Sequence, residues 1–194
     1  MQNGIQTRIC VSGSDDPSYG GLEAYEAAKN LGKEIIKQGS VLVTGAATGF
    51  PFWASMGAKS EGGISIGLSP ASSEKEHVNV YRLPIEYMDV VIYTGFGMSG
   101  RSMMLSRSAD AVIFGCGKIE TISEFDVAYR DGKPIGVLEG SWKTDETIKE
   151  LTKVHPRGTG GVVFDGNAER LVRRLLELIN INKKRNFTQN QVVL

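Results

Sequence analysis

Seven short runs of apolar, β-favouring residues recur along the chain: TRICVS, VLVTG, GISIGL, DVVIYTG, DAVIFG, PIGVLEG and GVVFD. Most are near-continuous rather than alternating, the pattern of strands covered on both faces of a parallel sheet. Segments of helical period separate them. In GLEAYEAAKNLGKEIIKQG, Ala24, Ala28, Leu31 and Ile35 fall on one stripe, and Gly39 stands as the C-terminal stop. In AERLVRRLLELIN the stripe is Leu171, Leu175 and Leu178. Strands alternating with helices predict right-handed crossovers and a doubly wound α/β layer structure. Residues 1–182 read as one domain and 183–194, KKRNFTQNQVVL, as a polar C-terminal tail. The connection Ser69–Met88, polar and containing two prolines, reads either as a functional loop or as a short extra helix.

Composition narrows the function classes. The 194 residues carry 22 basic and 22 acidic side chains, a formal net charge of zero. With no basic field to steer them, nucleic acid and membrane surfaces are not expected as partners. The amino terminus has no signal-peptide core, and no apolar run is of bilayer length. Cys10 and Cys116 make neither a disulfide framework nor a metal-ligand pattern, so a reduced, cytoplasmic protein without a metal or other cofactor is expected.

Twenty-four glycines are many for this length, and their placement carries chemistry. Four strands run through small residues directly into a helix. The loops hold Ser12, Gly13 and Ser14; Gly45, Thr48 and Gly49; Gly95, Gly97, Ser99 and Gly100; and Gly115, Gly117, Lys118 and Thr121. In a parallel sheet these loops share the carboxyl edge, where backbone amides and helix dipoles favour a phosphate. GFGMSG is also a literal G-x-G-x-x-G, but it lies mid-chain, and the next strand ends in Phe114-Gly115, where a ribose-binding acid is expected.

The stretch GMSGRSMMLSRSADAVIFGCGKIETISEF resembles the signature of the Lonely Guy (LOG) phosphoribohydrolases, once described as lysine decarboxylases. Their motif has an arginine followed by two methionines, an Ala-Asp-Ala strand entry and P-G-G-x-G-T-x-x-E. Arg101, Met104, Ala109-Asp110-Ala111, Thr121 and Glu124 match it. ICVSGS, LVTGAATGF and GAKSEGGISIGLSP are similar to earlier segments of that family, so the likeness runs from about Arg8 to Leu138. It departs from the family where Cys116 replaces the proline, Lys118 and Glu120 replace two glycines, and Ser102 stands where lysine is frequent.

The resemblance implies a mainly parallel, Rossmann-like sheet with helices on both faces, a nucleotide site and a homodimer or higher oligomer. The superfamily it points to also includes DNA-processing proteins and carriers of the molybdenum cofactor. Two functions follow as alternatives. One is hydrolysis of the N-glycosidic bond of a nucleoside 5′-monophosphate, with Glu124 as the catalytic carboxylate and Arg101 as the orienting cation. The other is non-catalytic binding, as a nucleotide sensor or a carrier of a phosphorylated cofactor.

Spacing alone offers a further reading of Thr121-Ile122-Ser123-Glu124: a T-x-x-E capping box that begins a helix. Glu120 beside a phosphate adds repulsion unless Lys118 offsets it. Cys116 reads as a small loop residue rather than a nucleophile, and Met103 and Met104 as core or dimer contacts.

Overall fold

The computed structural model describes residues 5–154 and 160–191, the latter without side chains beyond Arg185; His155 and the final residues of the expected tail lie outside them. The chain alternates strand and helix throughout: β1 (Arg8–Ser12), α1 (Gly21–Lys37), β2 (Val41–Thr44), α2 (Phe50–Ser60), β3 (Ser65–Ser69), α3 (Glu74–Asn79), β4 (Val90–Tyr93), α4 (Gly97–Ser108), β5 (Ala111–Phe114), α5 (Ile119–Arg130), β6 (Ile135–Leu138), α6 (Thr144–Val154), β7 (Val162–Asp165) and α7 (Ala168–Gln191). Each apolar run forms the strand expected of it.

The strands pair in parallel in the order β4-β3-β2-β1-β5-β6-β7. The chain therefore winds outward from β1 to β4, returns to the centre and winds outward again from β5. β1 lies between β2 and β5, with Ile9 opposite both Leu42 and Ala111. Alternate side chains feed two cores. Ile9, Val11, Leu42, Ala111 and Ile113 pack under α1, α2 and α7, whereas Cys10, Val43, Val112 and Phe114 pack against α4, α5 and α6. The α1 stripe is wholly buried, and Gly39 adopts φ +80 just past the helix end.

Two expectations need adjustment, and one left open is decided. The central strands are buried on both faces, but the edge strand β4 is not: Val90 and Ile92 are about half exposed, at 50% and 47%. The Ser69–Met88 connection contains α3, begun by a Ser73 cap and by Glu76 reaching back to the Ser72 amide. Within it His77 is fully buried, one ring nitrogen on Ser69 Oγ (2.8 Å) and the other on the Pro84 carbonyl (2.9 Å). Finally, α7 continues as helix to Gln191, through most of the segment read as a tail. No helix among the described residues is long and apolar enough to cross a membrane.

Candidate functional site

The reversal of winding opens a crevice at the carboxyl ends of β1, β2 and β5, the position at which open α/β sheets bind ligands. A cleft of about 390 Å³ lies there, within the range of small-ligand sites. Its walls come from the β1–α1 loop, the β2–α2 loop and the first turns of α4 and α5. α2, α4 and α5 all start at this edge, and none has a side-chain cap on its first amides. Such ends carry a partial positive charge, although the first amides of α2 and α4 are already bonded, Phe50 to the Ser14 carbonyl at 2.8 Å and Gly97 to the Pro70 carbonyl at 3.0 Å, and Pro51 has no N–H.

At the bottom of the cleft sits Glu124. Ser12, the last residue of β1, donates to its Oε2 at 2.5 Å, and Ser102 of α4 donates to its Oε1 at 2.6 Å. Arg101 is 7% exposed and donates through Nη1 to the Gly45 carbonyl at 2.7 Å. Its Nη2 stands 3.9 Å from Glu124 Oε1, and its Nε is buried without a hydrogen-bond partner. The arginine and glutamate that the resemblance singled out thus lie side by side.

The capping-box reading of Glu124 does not hold. α5 begins at Ile119, so Glu124 falls in its second turn, and its carboxylate is held by two serine hydroxyls instead of backbone amides. Thr121 is buried in the first turn.

The glycines divide into two groups. Ser12, Gly13, Ser14, Gly45, Ser99, Arg101, Thr121 and Glu124 line the cleft. Thr48, Gly49, Gly95, Gly97, Gly100, Gly115, Gly117 and Lys118 are not among its lining residues. Packing accounts for several of these glycines. A Cβ on Gly115 would fall 2.1 Å from the Phe50 ring, and one on Gly13, 2.7 Å from it. Phe50, the first residue of α2, is wedged beneath both loops. Gly117 faces the Thr121 side chain, while its amide and carbonyl both bond Thr144 Oγ1, at 2.8 and 2.7 Å. Gly45 leaves room for the Arg101 guanidinium.

Lys118 is diverted away from Glu120. It donates to Asp16 Oδ2 at 2.7 Å and lies 4.8 Å from the centre of the Tyr19 ring, tying the β5–α5 loop to the β1–α1 loop. That bond holds the Asp16 carboxyl well below the usual carboxylate range and raises the Lys118 ammonium. Cys116 is buried, and burial pushes its thiol up to about 11. Burial raises the Cys10 thiol still further, aided by the Glu124 charge.

Several lining residues go beyond those expected from the glycine loops: Asp15, Ser102, Glu120 and Ser123, and the apolar Val11, Ala47, Pro51, Met98, Met103, Leu105 and Val127. A helical signal leads to many of them. On α4, Met98, Arg101, Ser102 and Leu105 follow i, i+3, i+4, i+7; on α5, Glu120, Ser123, Glu124 and Val127 repeat it. The cleft is therefore largely apolar, with three carboxylates (Asp15, Glu120, Glu124) facing one guanidinium.

Comparison with known proteins gives a consistent picture. The model of the SLOG cluster4 family matches residues 6–169. An uncharacterised protein of Archaeoglobus fulgidus is 31% identical over 117 residues, 60% of this chain and 72% of that protein. The molybdenum cofactor binding protein of the phototrophic bacterium Rippkaea orientalis superposes with a TM-score of 0.74 at 25% identity, covering 90% of this chain and 98% of that one. The molybdenum cofactor carrier protein of Chlamydomonas reinhardtii gives 0.73 at 25% identity, covering 91% and 99%. DNA processing protein A of Helicobacter pylori, described as binding single-stranded DNA, shares the fold at 19% identity and a TM-score of 0.63, covering 88% and 80%. The fold alone therefore does not exclude nucleic acid.

Proposed function

We propose that this chain, which belongs to the SLOG cluster4 family, binds a phosphorylated, nucleotide-like small molecule in the cleft and serves as its carrier or sensor. One observation carries the reading: the buried Arg101 guanidinium, its Nε without a hydrogen-bond partner among the described residues, lines a largely apolar cleft beside the uncapped start of α4. The cation and the helix dipole suit a phosphate, and the apolar walls suit a ring. The similarity to proteins that bind or carry the molybdenum cofactor supports a cofactor of that class as ligand.

Hydrolysis of a nucleoside monophosphate is the second reading, favoured by the juxtaposition of Arg101 and Glu124. Against it, both Glu124 oxygens already accept hydroxyl hydrogen bonds, which suits an electrostatic role better than proton abstraction from water.

A thermal melt with AMP, adenosine and the isolated molybdenum cofactor, run beside an assay for free base, tests both. A phosphorylated ligand at a hundredfold over its Kd stabilises by about 2.7 kcal/mol, or roughly 5–10 °C for a chain of this size. AMP and the molybdenum cofactor should raise the melting temperature and adenosine should not, with no base released. Equal shifts with AMP and adenosine, or none with any ligand, defeat the binding proposal. Base release that disappears in Glu124→Gln establishes hydrolysis instead.

A further inference from the structure

The cleft contains polar groups that the fold leaves unmatched. Arg101 is 93% buried by its exposure, yet its Nε has no partner. Glu120 lies one helical turn from Glu124 on α5, lines the cleft and makes no hydrogen bond or ion pair among the described residues. Lys118, the cation nearest to it in sequence, is bonded to Asp16. Each oxygen of the deeper carboxylate accepts one serine hydroxyl, whereas the outer carboxylate lines the cleft without such a partner among the described residues.

We propose that Glu120 selects the ligand by its ring, accepting a pair of adjacent N–H groups from a 2-amino-4-oxopyrimidine edge, the chemistry shared by guanine and pterins. The inference rests on the phosphorylated-ligand reading above and gives that ligand an orientation. A phosphate beside Glu120 is disfavoured by like charge, and the Glu120 carboxylate already complements the positive end of α5. The phosphate is therefore directed to the start of α4 and to the Arg101 guanidinium, the cation that lines the cleft. The ring then lies along the apolar wall of Met98, Leu105 and Val127 toward Glu120.

Two carboxylate oxygens match two parallel N–H donors, as in bidentate base recognition. A guanine or pterin edge supplies a ring N–H beside an exocyclic amino group. Hypoxanthine lacks the amino group. Adenine places an acceptor nitrogen beside its amino group, so one carboxylate oxygen meets a lone pair.

Calorimetric titration of the whole chain with GMP, IMP, AMP and neopterin monophosphate tests this, using wild type, Glu120→Gln and Glu26→Gln. Glu26 is the comparison because its exposed side chain on α1 is not among the residues that line the cleft. Wild type should bind GMP or the pterin phosphate roughly ten- to hundredfold more tightly than AMP, with IMP between. Glu120→Gln should bring that ratio close to one, and Glu26→Gln should retain it. The tighter of the two amino-oxopyrimidine ligands identifies the ring system. Equal binding of all four by wild type, or a ratio that survives Glu120→Gln or falls as far in Glu26→Gln, overturns the inference and leaves the phosphate reading standing. Binding of none overturns both.

Discussion

Gly13 and Gly115 show how one residue type serves two purposes at a ligand edge. Both lie in loops whose small residues invite a phosphate, yet each has the Phe50 ring where its Cβ would stand. The missing side chain makes space for a wedge that sets the two loops against each other. Cys116 illustrates a related point. It follows a strand and precedes a helix, the setting of an activated thiol, but burial carries its thiol up to about 11. At pH 8 it should stay protonated and resist alkylation by iodoacetamide, reacting at the rate of a free thiol only in denaturant. Mass spectrometry of native and unfolded protein checks this. Rapid labelling of Cys116 in the native state would contradict the burial that the structure gives it.

At the scale of elements, α1 and α2 cross through glycine. A Cβ on Gly32 would fall 1.9 Å from the Ala54 carbonyl oxygen, and one on Gly57 the same distance from that of Lys29. Glycine inside a helix ordinarily costs about 1 kcal/mol relative to alanine, so Gly57→Ala would stabilise an isolated α2. Here backbone meets backbone and neither helix can yield without moving the other. Gly57→Ala should destabilise by about 1–3 kcal/mol. Thermal or urea denaturation measures it, and a gain in stability would mean that the helices separate at no cost. The sequence carries no local mark of this crossing. Two glycines on different helices do not announce that they face each other.

On the scale of the whole molecule, the edge strand β4 leaves Val90 and Ile92 exposed, at 50% and 47%. An unbroken β-branched edge of this kind is a site for pairing with another chain, and zero net charge offers no repulsion between copies. We propose a homodimer through the β4 edge; of the two methionines, Met103 lines the cleft and Met104 packs against the core. Light scattering at micromolar concentration should give twice the chain mass, and Ile92→Lys should return it to the monomer. A wild-type monomer would reject the assembly.

The seven strands, the α1 stripe with its Gly39 stop and the carboxyl-edge location of the site all follow from the order of residues alone, because strand and helix periods and turn chemistry act over a few neighbours. The resemblance around Arg101 and Glu124 likewise located two members of the cleft. Contacts between residues distant in sequence were decided by tertiary structure. Ser12 reaches Glu124 across 112 positions, and Lys118 reaches Asp16 across 102. The first bond makes Glu124 a clamped carboxylate in place of a helix cap, and the second takes Lys118 away from Glu120. Local spacing specifies which side chains a helix or loop can offer. Only the order in which strands join the sheet specifies which of those side chains meet, and at this cleft that order sets β1 directly beside β5.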